Sequence, residues 1–535
     1  MMQITVVPQS NAPPTGFEGM ALMQDAWNDF SFMTQYHLYL ATPAFTGRIG
    51  EVKILRRGQT KADGKQLQVG PIGPLGPDFV SLGQGLDYYE RLAALPEPLK
   101  LEILDALRDA LAHPDHAAGF LAEEGWRTSV LRYIEWDTFR IDAAVLLERD
   151  YDRVARLGLE VSFQVTGWGD PLTLSFAAPS PLWPGDNTLL PDRIAVLVGR
   201  NGAGKSTLIS RLARVLHASQ KDRSSDVFQA LGQITPPGIG FTRVLNLAYS
   251  AFDAFILPGR GFSEQDQILD DMERGAGRYH YCGLRNLRFE IMQSQGVGDV
   301  DGNPIQAIDL DRQERIILKT SQALADEFGT TVGVILESNR QELFSQVCRI
   351  LASDASFSDL GPNPAGPIFQ APVALFQTWS TGHKIVMHAA ASLVAFTEPK
   401  SIVLFDEPES HLHPPLLAAL MHAMRLVLTS NDAFAVVATH SPVVVQETLG
   451  QHIAVVRRAG ETRIRPPAIE TYGESLGEIT IEVFGLGAEA TDFHKTLAAL
   501  VERGLSLDHI ERLFRTGLSL QARAFVMTLL AGKQT

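Results

Sequence analysis

The sequence predicts an α/β fold built on a largely parallel sheet, and three observations carry that expectation. First, RIAVLVG at 193–199, VLNLAYS at 244–250, SIVLFDE at 401–407 and FAVVATH at 434–440 are apolar runs of strand length. Continuous apolar strands suit a parallel sheet covered on both faces. Second, the earliest of them runs directly into GRNGAGKST at 199–207, which fits GxxxxGK[ST] at every constrained position. Third, Leu208, Ile209, Leu212, Val215 and Leu216 recur at helical spacing behind that loop. Strand, glycine-rich loop and amphipathic helix in that order describe a phosphate-binding unit.

The elements before this unit read differently. Residues 1–156 form an N-terminal accessory domain with a loop-like start at 8–19, a strand-like GEVKILRR at 50–57 and a Gly/Pro-rich link at 70–77. Leu99, Ile103, Leu104, Leu107 and Leu111 then mark a helix, which Pro114 is expected to close, so that HPDH at 113–116 reads as a helix end. The basic segment 48–65, with six basic and two acidic residues, reads as an exposed hairpin whose lysines protect a sheet edge. SLGQGLDYYE at 81–90 is apolar and aromatic enough for either core or a partner surface. From 157 the period becomes two: Leu159, Val161, Phe163 and Val165 alternate, GWGD turns, and LTLSF forms a second strand.

The phosphate-loop domain is expected to span 157–470, with a helical insert at about 256–375 carrying helices at 313–328 and 339–353. Within the insert, VGDVDGNP at 297–304 reads as a hairpin turn, because Pro304 occupies the position where a calcium loop needs glycine. Residues 471–535 read as a C-terminal extension of three or four short helices.

Composition bounds the class. The 535 residues, 45% hydrophobic and 20% charged, imply several globular domains. A net charge of −15 argues against a protein-wide nucleic-acid footprint while leaving room for a local basic patch. Two cysteines, Cys282 and Cys348, make no disulfide or metal framework. With neither a signal-like start nor a membrane-length apolar run, a soluble cytoplasmic protein is expected.

The loop chemistry follows from residue type. Gly199, Gly202 and Gly204 allow the backbone of Arg200, Asn201 and Ala203 to turn its N–H groups toward an anion. Lys205 is placed to reach the β and γ phosphates, and Ser206, next to Thr207, to bind Mg²⁺. Asp406 and Glu407 stand at the carboxyl end of a strand, where open α/β sheets place ligands. There an aspartate holds Mg²⁺ and a glutamate polarises attacking water. In FQTWSTGHKIV, Ser380 caps a helix and Gly382 permits close backbone approach. His440 ends the last of the four apolar runs.

In this order and spacing the chain resembles ABC-type ATPase heads from about 157 to 470. DEPESHLH at 406–413 falls on that family's DEPTSALD pattern, and WSTGH at 379–383 on its LSGGQ signature. The resemblance implies ATP and Mg²⁺ as ligands, Asp406 as the metal aspartate, Glu407 as general base, His440 as switch histidine, and Ser380 with Gly382 as the signature. It also implies a head-to-tail dimer in which the signature of one chain caps ATP held by the phosphate loop of another. His413 replaces the usual aspartate of that motif, which points to interface contacts, and no glutamine follows 244–250 at the position that couples transporters to their membrane domain.

Among such ATPases, the DEPESHLHP form and the mixed insert look most like the soluble anti-phage kind, the Septu-type and overcoming-lysogenisation-defect-type ATPases. Residues 450–535 lack the DxD cluster of the Toprim nuclease that the latter carry. The resemblance therefore implies a regulatory ATPase working with a separate effector, an HNH-type nuclease in several relatives, with nucleic acid a further partner to test and no membrane partner. A repair or transport ATPase, or an ATP-binding scaffold with little turnover, stands as the alternative.

Overall fold

In the N-terminal region, β1 (Ile4–Val7), β2 (Gly19–Gln24), β3 (Gln35–Ala41), β4 (Thr46–Arg56), β5 (Gly70–Ile72) and β6 (Phe79–Gly83) form a six-stranded sheet in the order β5-β1-β2-β3-β4-β6. β1 and β2 run parallel; every other pair is antiparallel. The computed structural model describes all residues except 1, 11, 152–158, 177–189, 252, 254, 295–315, 361–363, 486–491 and 533–535. The turn expected at 297–304 and the boundary expected at 156 lie outside the described residues.

Helices Leu86–Ala93, Glu97–Leu107 and Trp136–Glu148 belong to the same core as this sheet. Two sequence expectations are corrected here, and an alternative left open is resolved. The basic segment 48–65 is exposed from Arg56 to Asp63 apart from Gln59, but it protects no edge: β4 lies between β3 and β6, and Lys53 is fully buried in an ion pair with Asp29 at 2.7 Å. A buried ammonium is tolerated because Asp29 also accepts from Ser129 Oγ at 2.9 Å and Arg132 at 2.8 Å, so no charge is left unpaired. HPDH is a helix start, because the preceding helix already ends at Arg108 in a left-handed conformation and Pro114 opens Pro114–Ala118. Proline suits a first helical turn, where its missing N–H costs nothing. Residues 81–90 are core, with Tyr88 and Tyr89 buried.

β7 (Glu160–Val165), β8 (Leu172–Ser175), β9 (Ile194–Val198) and β10 (Gly232–Thr235) follow; β7, β8 and β10 form a three-stranded antiparallel sheet. β9 instead enters a seven-stranded sheet with β11 (Val244–Ala248), β12 (Tyr279–Gly283), β13 (Ile402–Asp406), β14 (Phe434–Thr439), β15 (Ile453–Ala459) and β16 (Glu461–Arg465). Its order is β12-β11-β13-β14-β9-β15-β16, parallel except for the β15–β16 hairpin. β9, β11 and β13 are buried at every position, which is why their apolar runs are continuous.

The insert is not helical throughout. β12 lies within it and adds a strand beside β11. The lid proper begins at Ser321–Glu337 and continues through Gln341–Leu351, Pro372–Thr378 and Thr381–Phe396, which share one core with Pro414–Ser430. The tail consists of Leu476–Glu482, Asp492–Glu502, Leu507–Glu511 and Leu520–Gly532; the last three pack around Leu497, Val501, Ile510 and Val526. No helix among the described residues is long and apolar enough to cross a membrane.

The two large sheets are tied by charge across their junction: Lys400 with Asp142 at 2.6 Å, Arg91 with Asp271 at 2.8 Å and Lys221 with Glu51 at 2.9 Å. Lys221 sits in the short helix Gln220–Arg223, just beyond the helix Lys205–His217, so the N-terminal sheet is tied near the far end of the phosphate-loop helix.

Candidate functional site

The loop 199–204 is shaped by three left-handed glycines, Gly199 (φ +157°), Gly202 (φ +76°) and Gly204 (φ +104°), leading into the helix Lys205–His217. A side chain is excluded at the first and crowded at the last. A Cβ on Gly199 would meet the Val456 carbonyl at 2.3 Å, and one on Gly204 the Trp168 ring at 3.0 Å. Gly199→Ala is therefore expected to destabilise the fold by about 1–3 kcal/mol and to weaken nucleotide binding, since the backbone of β15 must move to admit the methyl group. Urea unfolding and a nucleotide titration read both effects; an unchanged midpoint would contradict the close packing.

Asn201, Gly202, Gly204, Lys205, Ser206, Thr207, Glu407 and His440 line one open cleft of about 210 Å³. Lys205 Nζ donates to Gly199 O at 3.1 Å and to His440 Nε2 at 2.6 Å. Because the ammonium donates, that imidazole nitrogen is the acceptor, and the ring is neutral with its proton on Nδ1. Burial and the neighbouring Lys205 charge both push the His440 pKa down, in agreement with a neutral ring. Glu407 Oε1 lies 3.8 Å from the same nitrogen. Lysine, glutamate and histidine from three separate strand ends thus converge, because parallel strands deliver their carboxyl ends to one edge.

Asp406 lies beneath them. Burial raises its pKa to about 7, partly offset by a hydrogen bond with Ser206. Its Oδ1 is buried and has no hydrogen-bond partner. An orphaned carboxylate oxygen in the interior costs free energy unless a cation completes it. Asp406 and Ser206 together therefore fit a Mg²⁺ site of the oxygen-ligand kind. Glu407 has φ +48°, a conformation rare for a residue with a side chain, and its N–H donates to Ala438 O at 2.8 Å. Strain of that kind is held by its surroundings and is typical of functional positions.

Glu409 joins the site although its sequence context does not mark it. Its carboxylate accepts from Thr439 Oγ1 at 2.8 Å and from the His440 backbone N–H, fixing the strand end that carries His440. The only sequence signal was its place two residues after Glu407 in DEPES. Trp168, in the turn between β7 and β8, is a second such residue, packed beside Gly204. Nothing in GWGD distinguishes it from an ordinary turn.

Ser380 and Gly382 do not line the cleft. Ser380 is exposed and caps Thr381–Phe396 by accepting from His383 N–H at 3.3 Å. Gly382 does allow a close approach, but in this chain the neighbour is backbone of the loop after β13: a Cβ there would lie 3.1 Å from His411 O, a tight contact. Beside it, Ser356 Oγ meets His383 Nε2 at 3.1 Å, His413 Nε2 at 3.4 Å and Asp354 Oδ1 at 2.5 Å. A hydroxyl has one proton to give, and Asp354 can only accept while ionised. Burial raises the Asp354 pKa, but its bonds to Ser356 outweigh that and hold it low. Both imidazoles therefore donate to Ser356, which ties the start of the helix Thr381–Phe396 to the loop after β13.

Strand order, loop and buried aspartate make this a P-loop NTPase fold. A family comparison agrees with that reading. Residues 329–446 match the family described as "AAA domain, putative AbiEii toxin, Type IV TA system". Along its whole length the chain is similar to Protein ea59 of Escherichia phage lambda, 29% identical over 556 aligned positions, covering 100% of this chain and 99% of that protein. Among solved structures, a similarity is found to the SmcHead bound to the C-winged helix domain of ScpA, with a TM-score of 0.27 and 12% identity over 57% of this chain and 96% of that one.

Proposed function

We propose that the protein is an ATP-hydrolysing regulatory subunit in which two chains close on ATP and thereby control a separate effector in the conflict between phage and bacterial host. The observation that carries this reading is the separation of two half-sites. Lys205, Ser206, Glu407 and His440 share a cleft, whereas Ser380, the exposed cap of a helix start, stands outside it. A helix N-terminus favours an anion through its dipole, so a second chain can present Ser380 to a γ-phosphate bound at Lys205 of the first.

In each composite site, Lys205 releases His440 and turns to phosphate, and Glu407 takes a proton from the attacking water. His440, held by Glu409, donates or accepts beside it, since its ring lies within reach of both Lys205 and Glu407. Mg²⁺, held by Ser206 and Asp406, would neutralise phosphate charge.

The sharing of sites is tested by mixing two inactive chains. Ser380→Arg spoils the presented half and Lys205→Ala the receiving half; mixed, they should regain about a quarter to a half of wild-type phosphate release through hybrid dimers. No recovery at any ratio rejects shared sites.

The biological part of the proposal is supported by the toxin–antitoxin description of the matched family and by a full-length relative in a phage genome. Purification of the native complex with mass spectrometry identifies the effector; an HNH-type nuclease is the expected class. Recovery with a membrane domain would instead favour the transport alternative.

A further inference from the structure

The β15–β16 hairpin carries a charge arrangement that the nucleotide site does not use. Arg457 and Arg463 are directly opposite one another across the antiparallel pair, and Arg465 follows on the same face. Like charges placed opposite each other in a ladder are destabilising. Arg458 and Arg200 border the same region, and all five arginines are exposed in a chain of net charge −15.

Compensation is slight. Arg463 pairs with Glu461 at 3.3 Å, Arg457 donates to Glu482 O at 3.3 Å and Arg200 to Gly485 O at 2.9 Å. Among the described residues no carboxylate oxygen lies within 4.0 Å of Arg200, Arg457, Arg458 or Arg465 in an ion pair. Position adds meaning to charge. β15 runs beside β9, whose end is the phosphate loop, and Val456 O touches the site of the missing Gly199 side chain. Between hairpin and loop lies a cavity of about 450 Å³, lined by Arg200, Arg457, Arg458, Phe484 and the backbone of the loop.

We propose that this surface binds a single-stranded nucleic acid, its phosphates on the hairpin arginines and one unpaired base in the cavity beside Phe484. Guanidinium forks match phosphate oxygens in pairs, and an aromatic ring among arginines gives a base a stacking surface. The cavity lies in the size range of a ligand as large as one nucleotide. An acidic protein segment would satisfy the charges but has no use for a cavity of that size with the Phe484 ring in its lining.

The test is fluorescence anisotropy of the full chain with a labelled 20-nucleotide single strand, its duplex and a polyglutamate competitor. The variant is Arg463→Ala with Arg465→Ala, both exposed and neither in the phosphate loop. Single-strand affinity should fall about tenfold in the variant at low salt, and the slope of log K against log salt should shrink by about 1.4, near 0.7 for each lost phosphate contact. Nucleotide affinity, measured in parallel, should stay at the wild-type value, which separates this surface from the ATP site. Absence of single-strand binding, equal affinity of wild type and variant, a preference for duplex, or displacement by polyglutamate at equal charge would each overturn the proposal, the last assigning the surface to an acidic protein.

Discussion

Glu407→Gln is expected to slow phosphate release by about 10²- to 10⁴-fold while ATP affinity changes by no more than a few-fold, the loss ordinarily seen when a general base is removed. The choice of Glu407 over its neighbour rests on accessibility. Asp406 is buried, bonded to Ser206 and raised to a pKa of about 7, whereas the Glu407 side chain is 35% exposed and opens into the cleft beside His440. The amide is nearly isosteric, so Lys205, Ser206 and the glycine loop stay in place. ATP-bound dimers should therefore accumulate, visible as a nucleotide-dependent shift in size-exclusion chromatography. Phosphate release equal to wild type would remove Glu407 from the role of base. Lys205→Ala gives the complementary pattern, because it removes the cation that meets phosphate and so abolishes binding before any hydrolysis.

Asp406→Asn is expected to do two opposite things: abolish Mg²⁺-dependent hydrolysis and stabilise the ligand-free fold at alkaline pH. The sign follows from linkage. Burial raises the carboxyl pKa from 3.8 to about 7, so between those values the folded state holds more protons than the unfolded state. Stability then declines as pH rises through that window and stays at the lower level above it. Asparagine carries no charge into the interior, which removes the decline. At pH 8 without Mg²⁺ the variant should be more stable by an amount on the order of 2–4 kcal/mol at the upper limit, seen as a melting point higher by several degrees. Near pH 4 the difference should vanish. Adding Mg²⁺ with nucleotide should raise the melting point of the wild type alone. Parallel pH profiles for the two chains would show that Asp406 is not the buried, cation-seeking carboxylate described above.

The nucleotide site was legible in the sequence for a local reason. GRNGAGKST needs glycine where its backbone turns left-handed and lysine and serine where phosphate and metal bind, and all of that is local to nine residues. The apolar runs at 194–198, 244–248, 402–406 and 434–439 were equally plain because strands covered on both faces carry no polar alternation to blur them. The N-terminal sheet was largely hidden. β2 and β3, GMALMQ and QYHLYLA, contain no β-branched residue, and their pairing is non-local. Lys53 misled for a related cause: a basic residue signals surface until tertiary folding supplies its buried partner, here Asp29, 24 positions away.

By itself, then, the sequence determined the glycine-rich phosphate-type loop, the apolar strands around it and the acidic pair at a strand end, since each depends on neighbours along the chain. Tertiary structure alone decided that Asp406 keeps an unpaired oxygen, that Glu409 holds His440, that Ser380 stands outside the cleft, and that Arg457 and Arg458 of the β15–β16 hairpin share a cavity with Arg200 of the phosphate loop. Those facts depend on burial and on contacts between distant segments, and both come into being only when the chain packs.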